Sequence, residues 1–320
     1  DLLPVSAIWP GPDHNAHLSA ECAKRGFPGL QPPLMHALTG STTPFRFDLF
    51  QGDVGHTFVG GPTGAGKSVF LLTVALQWLR YPQAQVRFID KGASARAATL
   101  LVGGAFHDLG GGGGLAFQPL ADIDDPDERT WAQGWVEDLL VSSGVTLEPA
   151  VREAVWTALQ SLAAAPRSQR TLTLLAATLQ DRGLKAALAP FTLAGPYGRL
   201  LDAAEVDLAR ADWQAFEMGE LIASRTAAGP VLTYLFHLLA RDFDGRPTLL
   251  VLDEAWLFLE STAFAAKIRE WLLTLRKKNV SVMFTTPSLK TTLASPIAGA
   301  LLEACPTRIF LPNPDARTPD

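Results

Sequence analysis

The chain has 320 residues, of which 48% are hydrophobic and 18% are charged, and its formal net charge is −5. This composition excludes a disordered or fibrous protein and predicts one large α/β domain with an inserted or appended subdomain. The acidic balance argues against a basic protein that coats nucleic acid, so a nucleic-acid role would need a local basic channel.

The first predicted elements are a strand, a glycine-rich loop and a helix. A lead-in rich in Pro, Gly and His ends in an alternating segment at 44–50, which predicts a strand or hairpin. The apolar run 56–59 predicts a strand, and the apolar periodicity of 69–79 predicts a helix that begins near Lys67. The loop between them, 61–68, matches the pattern Gly-x-x-x-x-Gly-Lys-Ser.

This loop predicts a nucleotide site because a strand precedes it and a helix follows it. The backbone N–H groups of such a turn can face phosphate oxygens, and the positive end of the helix adds to the attraction. We expect Lys67 to act in catalysis by reaching the β/γ oxygens, and Ser68 to offer its hydroxyl to Mg²⁺. The residues expected to bind the nucleotide are Gly61, Pro62, Thr63, Gly64, Ala65, Gly66, Lys67, Ser68 and Val69.

The next predicted elements complete a βαβ unit. A strand at 85–89 follows the helix, and two strands joined through a helix require a parallel sheet. The glycine run 110–114 predicts a loop, and the apolar residues of 115–120 predict a third short strand.

Residues 125–200 show a helical pattern without strands. Asp125 is placed to cap the first helix, and Glu128 is expected to bond back to the cap. Trp131 and Trp135 recur at near-helical spacing, which favours positions in the core over stacking platforms. We therefore expect an all-helical insertion.

The carboxyl-terminal third returns to strands. An apolar run at 248–252 ends in Asp253 and Glu254, and such a run is what a central parallel strand covered on both faces requires. We interpret it as a Walker B strand. Further strands are predicted at 212–216, 280–285 and 307–311, and helices around 231–239 and 264–275. The expected α/β domain is thus formed by 1–124 and 201–320, around the insertion at 125–200.

The acidic pair at the end of this strand predicts the chemistry. Asp253 is expected to hold Mg²⁺ through water while Ser68 binds it directly. Glu254 is then placed to orient and deprotonate an attacking water. This adjacent pair favours an ATPase of the additional-strand class over most kinases and GTPases. No Asn-Lys-x-Asp guanine motif occurs in the sequence, which also favours ATP.

Arg276 is a candidate for an arginine that reaches the γ-phosphate bound by a neighbouring subunit. It follows Arg269 by seven residues, close to two helical turns, and both lie away from the apolar stripe. An arginine in this role would neutralise charge on the phosphoryl oxygens in the transition state. The alternative is a solvated basic helix end, formed with Lys267, Lys277 and Lys278.

Several segments together resemble the conjugal transfer ATPases of the TrbE type, the large ATPases of type IV secretion systems. They read GPTGAGKS at 61–68, FIDKGAS at 88–94, LVLDEAWLFL at 250–259, LRKKN at 275–279 and CPTRIFLPN at 305–313. The resemblance covers nearly the whole chain. It implies a RecA-like P-loop NTPase sheet with a helical insertion, the C-terminal ATPase half without the family's N-terminal domain and last helices.

The resemblance also implies partners and a location. Relatives form hexameric rings with the nucleotide between subunits, so Arg276 would act in trans on a neighbour's ATP and Mg²⁺. Other type IV secretion components would be partners, with the protein in the cytoplasm at the periphery of the bacterial inner membrane. Only Cys22 and Cys305 are present, without zinc-site spacing, and the apolar runs are too short to cross a bilayer. The start at Asp1 suggests a fragment of a longer protein.

One departure from the family pattern concerns the strand at 280–285. It usually ends in Ala-Thr-Gln-Ser, where the Gln senses the γ-phosphate, whereas this chain reads Thr285-Thr286-Pro287-Ser288. Pro287 supplies neither a side-chain amide nor a backbone donor. Either a neighbour such as Thr286 substitutes for the Gln, or turnover is weakened.

The predicted function is Mg²⁺-dependent ATP hydrolysis that powers substrate transfer or pilus assembly in a conjugation or type IV secretion machine. One alternative is an ATP-binding assembly clamp with weak turnover, as Pro287 would allow. Another is a DNA-translocating motor of the coupling type. The acidic balance and the lack of an aromatic-basic repeat weigh against DNA binding.

Overall fold

The structure is a computed structural model that describes residues 10–40, 42–110, 115–206, 208–254, 262–287, 292, 295 and 298–313. The chain divides into two compact units. The first takes the described residues of 1–106, 210–217 and 243–320. The second takes those of 107–209 and 218–242, so it contains the segment 125–200 and extends beyond it on both sides.

The elements of the described residues follow the chain in this order. The strands are β1 (Met35–Leu38), β2 (Pro44–Phe47), β3 (Thr57–Gly60), β4 (Gln85–Asp90), β5 (Ala105–Asp108), β6 (Trp213–Glu217), β7 (Thr248–Leu252), β8 (Val280–Thr286) and β9 (Thr307–Phe310). The α-helices are α1 (Ala16–Lys24), α2 (Lys67–Trp78), α3 (Arg96–Leu101), α4 (Pro126–Ser142), α5 (Pro149–Ala163), α6 (Leu172–Thr178), α7 (Arg182–Leu188), α8 (Gly198–Leu201), α9 (Gly219–Ala223), α10 (Arg225–Asp242), α11 (Thr262–Thr274) and α12 (Ala298–Ala304). Short 3₁₀ helices lie at Arg167–Gln169, Ala189–Phe191 and Leu275–Lys278.

A seven-stranded sheet in the order β5-β6-β4-β7-β8-β3-β9 organises the first unit. Parallel pairs join β3 to β8 and β9, β4 to β6 and β7, and β7 to β8. This confirms the predicted α/β fold with a mostly parallel sheet. Because β8 lies between β3 and β7, the loop after β3 and the acids after β7 open onto the same edge of the sheet.

The sheet core explains why its strands read as apolar runs. All residues of β4 and β7 are buried, as expected for parallel strands covered on both faces. Helix α2 packs Leu71, Val74 and Trp78 into this core, and the Trp78 indole donates to the Pro247 carbonyl at 3.3 Å. Burying each such side chain stabilises the fold by roughly 1.5–3 kcal/mol. The packing fixes α2, and with it the loop at its amino end.

The lead-in forms a hairpin before the sheet begins. Strands β1 and β2 pair antiparallel, with Met35 opposite Phe47 and Leu38 opposite Pro44. The predicted strand or hairpin at 44–50 is therefore confirmed as the second arm of a hairpin.

The predicted third strand at 115–120 is wrong, and the strand of this region is β5 at Ala105–Asp108. Residues 115–118 have no regular structure, although Phe117 is fully buried. Its N–H donates to the Leu200 carbonyl at 2.7 Å, and its carbonyl accepts from the Ala203 N–H at 3.1 Å. The apolar run is thus buried by packing inside the second unit instead of by a strand ladder. Within the glycine run, 111–114 lie outside the described residues.

The second unit is helical in its described residues apart from the end of β5. Helix α4 begins as predicted, with the Asp125 carboxylate accepting from the Asp127 N–H at 2.8 Å and proline in the first turn. The expected bond of Glu128 back to the cap is wrong. Its Oε2 instead lies 2.9 Å from both His237 Nε2 and the Arg241 guanidinium. These partners come from α10, so the side chain joins two helices.

The tryptophans of α4 pack as the spacing predicts. Trp135 is 2% exposed and donates to the Pro230 carbonyl at 3.0 Å. Trp131 is half-buried and stacks on His237 with ring centres 3.8 Å apart. Both cysteines, Cys22 and Cys305, are buried and free. Among the described helices, none is long and apolar enough to traverse a bilayer.

Candidate nucleotide site

The glycine-rich loop begins where β3 ends at Gly60 and closes where α2 begins at Lys67. Gly66 caps the helix with φ +89°, a left-handed conformation that side-chain-bearing residues adopt only with strain. No side chain caps this helix end, so its first N–H groups form a positive terminus of the kind that attracts anions. A Cβ at Gly61 would lie 2.8 Å from Leu311 Cβ, so the loop also needs glycine where the end of β9 approaches it.

Lys67 lies against its own loop. The side chain is almost fully buried, and Nζ donates to the carbonyls of Gly61 at 2.8 Å and Pro62 at 3.0 Å. Other members of the predicted set face outward: Thr63, Gly64, Gly66 and Val69 are exposed. The loop therefore offers one held ammonium and an open rim to an anionic ligand.

Ser68 and Asp253 meet although they are far apart in the sequence. The Ser68 hydroxyl donates to Asp253 Oδ2 at 3.4 Å, and Asp253 is 3% exposed. Burial raises the pKa of Asp253, against hydrogen bonds from Thr285, the Glu254 N–H and Ser68 that favour the charged form. Hydroxyl and carboxylate oxygens are the ligands that Mg²⁺ prefers, and a cation would favour the buried charged carboxylate. This pair therefore fits the predicted Mg²⁺ site.

Glu254 follows Asp253 in an unusual backbone conformation. Its φ is +54°, and its side chain is half-buried. Its N–H donates to Asp253 Oδ1 at 3.0 Å and to Thr285 Oγ1 at 3.1 Å. The structure thus brings Lys67, Ser68, Asp253 and Glu254 to one edge of the sheet, as the sequence predicts for the two motifs together.

Thr285 is a residue of this site that the sequence did not single out. Its hydroxyl donates to Asp253 Oδ1 at 2.8 Å. The sequence pointed instead to Thr286, whose hydroxyl lies 3.0 Å from that of Thr292 and whose carbonyl accepts from the Gly61 N–H at 3.3 Å. Strand register is the signal that finds Thr285, because Leu252 pairs with Phe284 and the next residue of each strand is Asp253 and Thr285.

Two further acids shape the neighbouring loop. Strand β4 lies beside β7 and ends at Asp90, which is fully buried and accepts from the Ser94 hydroxyl and the Ala95 N–H, both at 2.7 Å. Glu217 ends β6 and accepts from the N–H groups of Gly92 and Ala93. Burial raises the pKa of Asp90, and the nearby carboxylates act in the same direction. These acids hold the segment 91–95 beside the site.

The structure places Arg276 in the 3₁₀ segment that follows α11, on the surface. Its guanidinium lies 3.5 Å from the Asp53 carboxylate, and the two side chains are 45% and 67% exposed. A surface pair of this kind contributes little stability. Arg269, on α11, is also exposed. The role of Arg276 across a subunit interface stays a prediction.

The chain is similar to curated proteins of conjugal transfer and type IV secretion. It is 41% identical to a TrbE conjugal transfer protein of Sinorhizobium fredii and 42% identical to the conjugal transfer protein TrbE of Rhizobium radiobacter, each over 100% of this chain. It is 30% identical to the type IV secretion system protein VirB4 of Bartonella quintana over 88% of this chain. The chain spans 48%, 39% and 36% of the lengths of these relatives. No protein-family model matches it.

Solved structures share the fold. VirB4 of Thermoanaerobacter pseudethanolicus superposes with a TM-score of 0.67 at 19% identity, over 85% of this chain and 82% of that one. The plasmid coupling protein TrwB, in complex with ADP and Mg²⁺, gives a TM-score of 0.55 at 14% identity, over 85% and 73%. At these identities the likeness concerns the fold, which supports the expected RecA-like architecture.

Proposed function

The chain belongs to the TrbE and VirB4 family of conjugal transfer and type IV secretion proteins, and we propose that it binds ATP with Mg²⁺ and hydrolyses it to ADP and phosphate. The observation that carries this proposal is the meeting of the two motifs. The hydroxyl of Ser68 lies 3.4 Å from the Asp253 carboxylate, directly after the held ammonium of Lys67. The TrwB complex with ADP and Mg²⁺ supports the same ligand pair for this fold.

The residues of the site divide the chemistry among them. Lys67 exchanges its contacts with the Gly61 and Pro62 carbonyls for contacts with the β- and γ-phosphate oxygens. Ser68 and Asp253 hold Mg²⁺, which when bound neutralises charge on those oxygens. The rim of the loop directs backbone N–H groups at the phosphates.

Glu254 acts on the water that attacks the γ-phosphorus. Its carboxylate orients the water and accepts its proton while the new P–O bond forms. The bond from the γ-phosphorus to the bridging oxygen breaks, and ADP is the leaving group. Hydrolysis then powers substrate transfer or pilus assembly.

The proposal extends to assembly. The full-length protein forms a hexamer in which Arg276 completes the site of a neighbour, and it works with other type IV secretion components at the cytoplasmic face of the inner membrane. The exposure of Arg276 at the end of its helix supports this, because the weak contact with Asp53 leaves the guanidinium available to a partner.

Pro287 favours a second candidate function. It follows β8 directly and offers no donor to a γ-phosphate. In this alternative the ATP-bound state is an assembly clamp with weak turnover.

Two substitutions test the site. Lys67→Ala and Glu254→Gln are each expected to lower the kcat of ATP hydrolysis by about 100-fold or more, as is usual for lost electrostatic and general-base contributions. Matched controls on the exposed surface are Lys277→Ala and Glu303→Gln, which should retain the rate. Undiminished turnover in either site variant would refute the assignment. Tight ATP binding without turnover in the unmodified protein would favour the clamp.

A further inference from the structure

We propose that Thr285 is a positioning residue that orients the Asp253 carboxylate toward Ser68 and holds the backbone of Glu254 in place. The proposal rests on the proposed function, since the positioned groups are the Mg²⁺ ligand and the general base assigned there. It goes beyond that function by giving the strand between the two motifs a chemical part in the site.

The hydroxyl of Thr285 is used in two directions. Its proton is donated to Asp253 Oδ1 at 2.8 Å, and its oxygen accepts the Glu254 N–H at 3.1 Å. The Glu254 N–H also reaches Asp253 Oδ1 at 3.0 Å, so one carboxylate oxygen carries both bonds. The other oxygen, Oδ2, is the one that faces Ser68 at 3.4 Å. Thr285 thereby selects which oxygen is presented to the cation site.

The backbone of Glu254 gives this contact a second consequence. A residue with a side chain at φ +54° is strained and persists where its surroundings hold it. The N–H of this residue is held by Thr285 and Asp253 together. Loss of the hydroxyl would weaken that restraint and let the Glu254 side chain leave its position.

Burial makes the hydroxyl hard to replace. Thr285 is 1% exposed and Asp253 is 3% exposed, so bulk water does not reach these bonds. A buried carboxylate that loses a donor bears the full cost of its desolvation. The neighbouring Thr286 hydroxyl is paired with that of Thr292, so it is committed elsewhere.

Substitutions that differ by the hydroxyl alone test the proposal. Thr285→Val keeps the shape without the hydroxyl, and Thr285→Ser keeps the hydroxyl without the methyl. We expect Thr285→Val to lower kcat by about 10- to 100-fold, the range for a lost hydrogen bond to a charged group, with little change in the KM for ATP. Thr285→Ser should stay within about threefold of the unmodified protein.

Binding calorimetry supplies a readout that does not depend on turnover. The gain in ADP affinity on adding Mg²⁺ should shrink about tenfold in Thr285→Val and be retained in Thr285→Ser, while ADP affinity in EDTA stays unchanged in both. An equal loss in the Val and Ser variants, or no loss in the Val variant, would overturn the proposal. If Thr285→Val fails to fold, the pair Thr285→Ala and Thr285→Ser differs by one oxygen and decides the same question.

The two proposals fail in different ways. Absent ATP turnover in the unmodified protein would refute the proposed hydrolysis, while the Mg²⁺-linked ADP affinity would still decide the role of Thr285. Normal turnover in Thr285→Val with a normal Mg²⁺ gain would refute the positioning role and leave the ATPase assignment standing.

Discussion

Buried His56 should make the first unit sensitive to acid. This residue precedes β3 and is 1% exposed. Its Nδ1 accepts from the Val282 N–H at 3.1 Å, and its Nε2 donates to the Leu272 carbonyl at 3.1 Å, which is the pattern of a neutral imidazole. Burial lowers the pKa of His56 from 6.5 to about 4, against the bond to Leu272 and with the help of the Arg276 charge.

The direction of the effect follows from proton binding. Between pH 6.5 and about 4 the unfolded chain takes up a proton at His56 that the folded chain does not. The contribution is therefore fully present above pH 6.5 and is lost as the pH falls toward 4. A shift of this size corresponds to about 3 kcal/mol of unfolding free energy at its limit, and to about 2 kcal/mol between pH 7 and pH 5.

Urea unfolding at pH 7 and pH 5 measures this contribution. Since several buried carboxyls also titrate, the quantity of interest is the difference between the unmodified protein and His56→Gln, whose amide does not titrate in this range. The unmodified protein should lose about 2 kcal/mol more than the variant on going to pH 5. Exposed His36 provides the control, because His36→Gln should leave the pH dependence unchanged. Equal losses in His56→Gln and the unmodified protein would refute the reasoning.

Two further predictions concern the far side of the nucleotide. Arg276→Ala should remove the rise of ATP turnover with protein concentration while leaving the slow rate of dilute protein unchanged, as turnover and light scattering on the same samples would show; Asp53→Ala, which removes its surface partner, should leave that rise in place. A rise that survives in Arg276→Ala would refute the role in trans. Pro287→Gln should raise kcat if the missing amide limits turnover, by about 10-fold for one restored contact to a charged group, and steady-state hydrolysis beside ATP affinity measures it. An unchanged rate would show that the departure at this position is without consequence.

The sequence predicts the two halves of the site because each is written in contiguous residues. The loop 61–68 and the run 248–254 carry their own spacing, and apolar strands on either side place them on a parallel sheet. The apolar run 248–252 has the same bounds as strand β7 in the structure. Local patterns of this kind survive folding because burial and turn geometry act on the same residues.

What the sequence does not predict depends on residues distant in the chain. The run 115–120 has the apolar content of a strand, yet the segment around Leu200 buries it. Glu128 matches a capping pattern, but His237 and Arg241 offer it stronger charge-assisted partners. Thr285 enters the site only through the register of β8 against β7. In each case tertiary packing decides between alternatives that are locally equivalent.

The pairing of β3 has a consequence for biosynthesis. Thr57 pairs with Met283 on one side and with Thr307 on the other, so the strand that carries the glycine-rich loop acquires its neighbours only from residues far along the chain. Contacts of such high sequence separation form late and slowly, and they leave strand edges exposed in the meantime. On the ribosome this sheet therefore stays open around β3 until residue 310 has emerged. A nascent or truncated chain that ends before β9 would contain both nucleotide motifs and still lack a closed nucleotide site, which gives the cell a form of quality control over when ATP can first be bound.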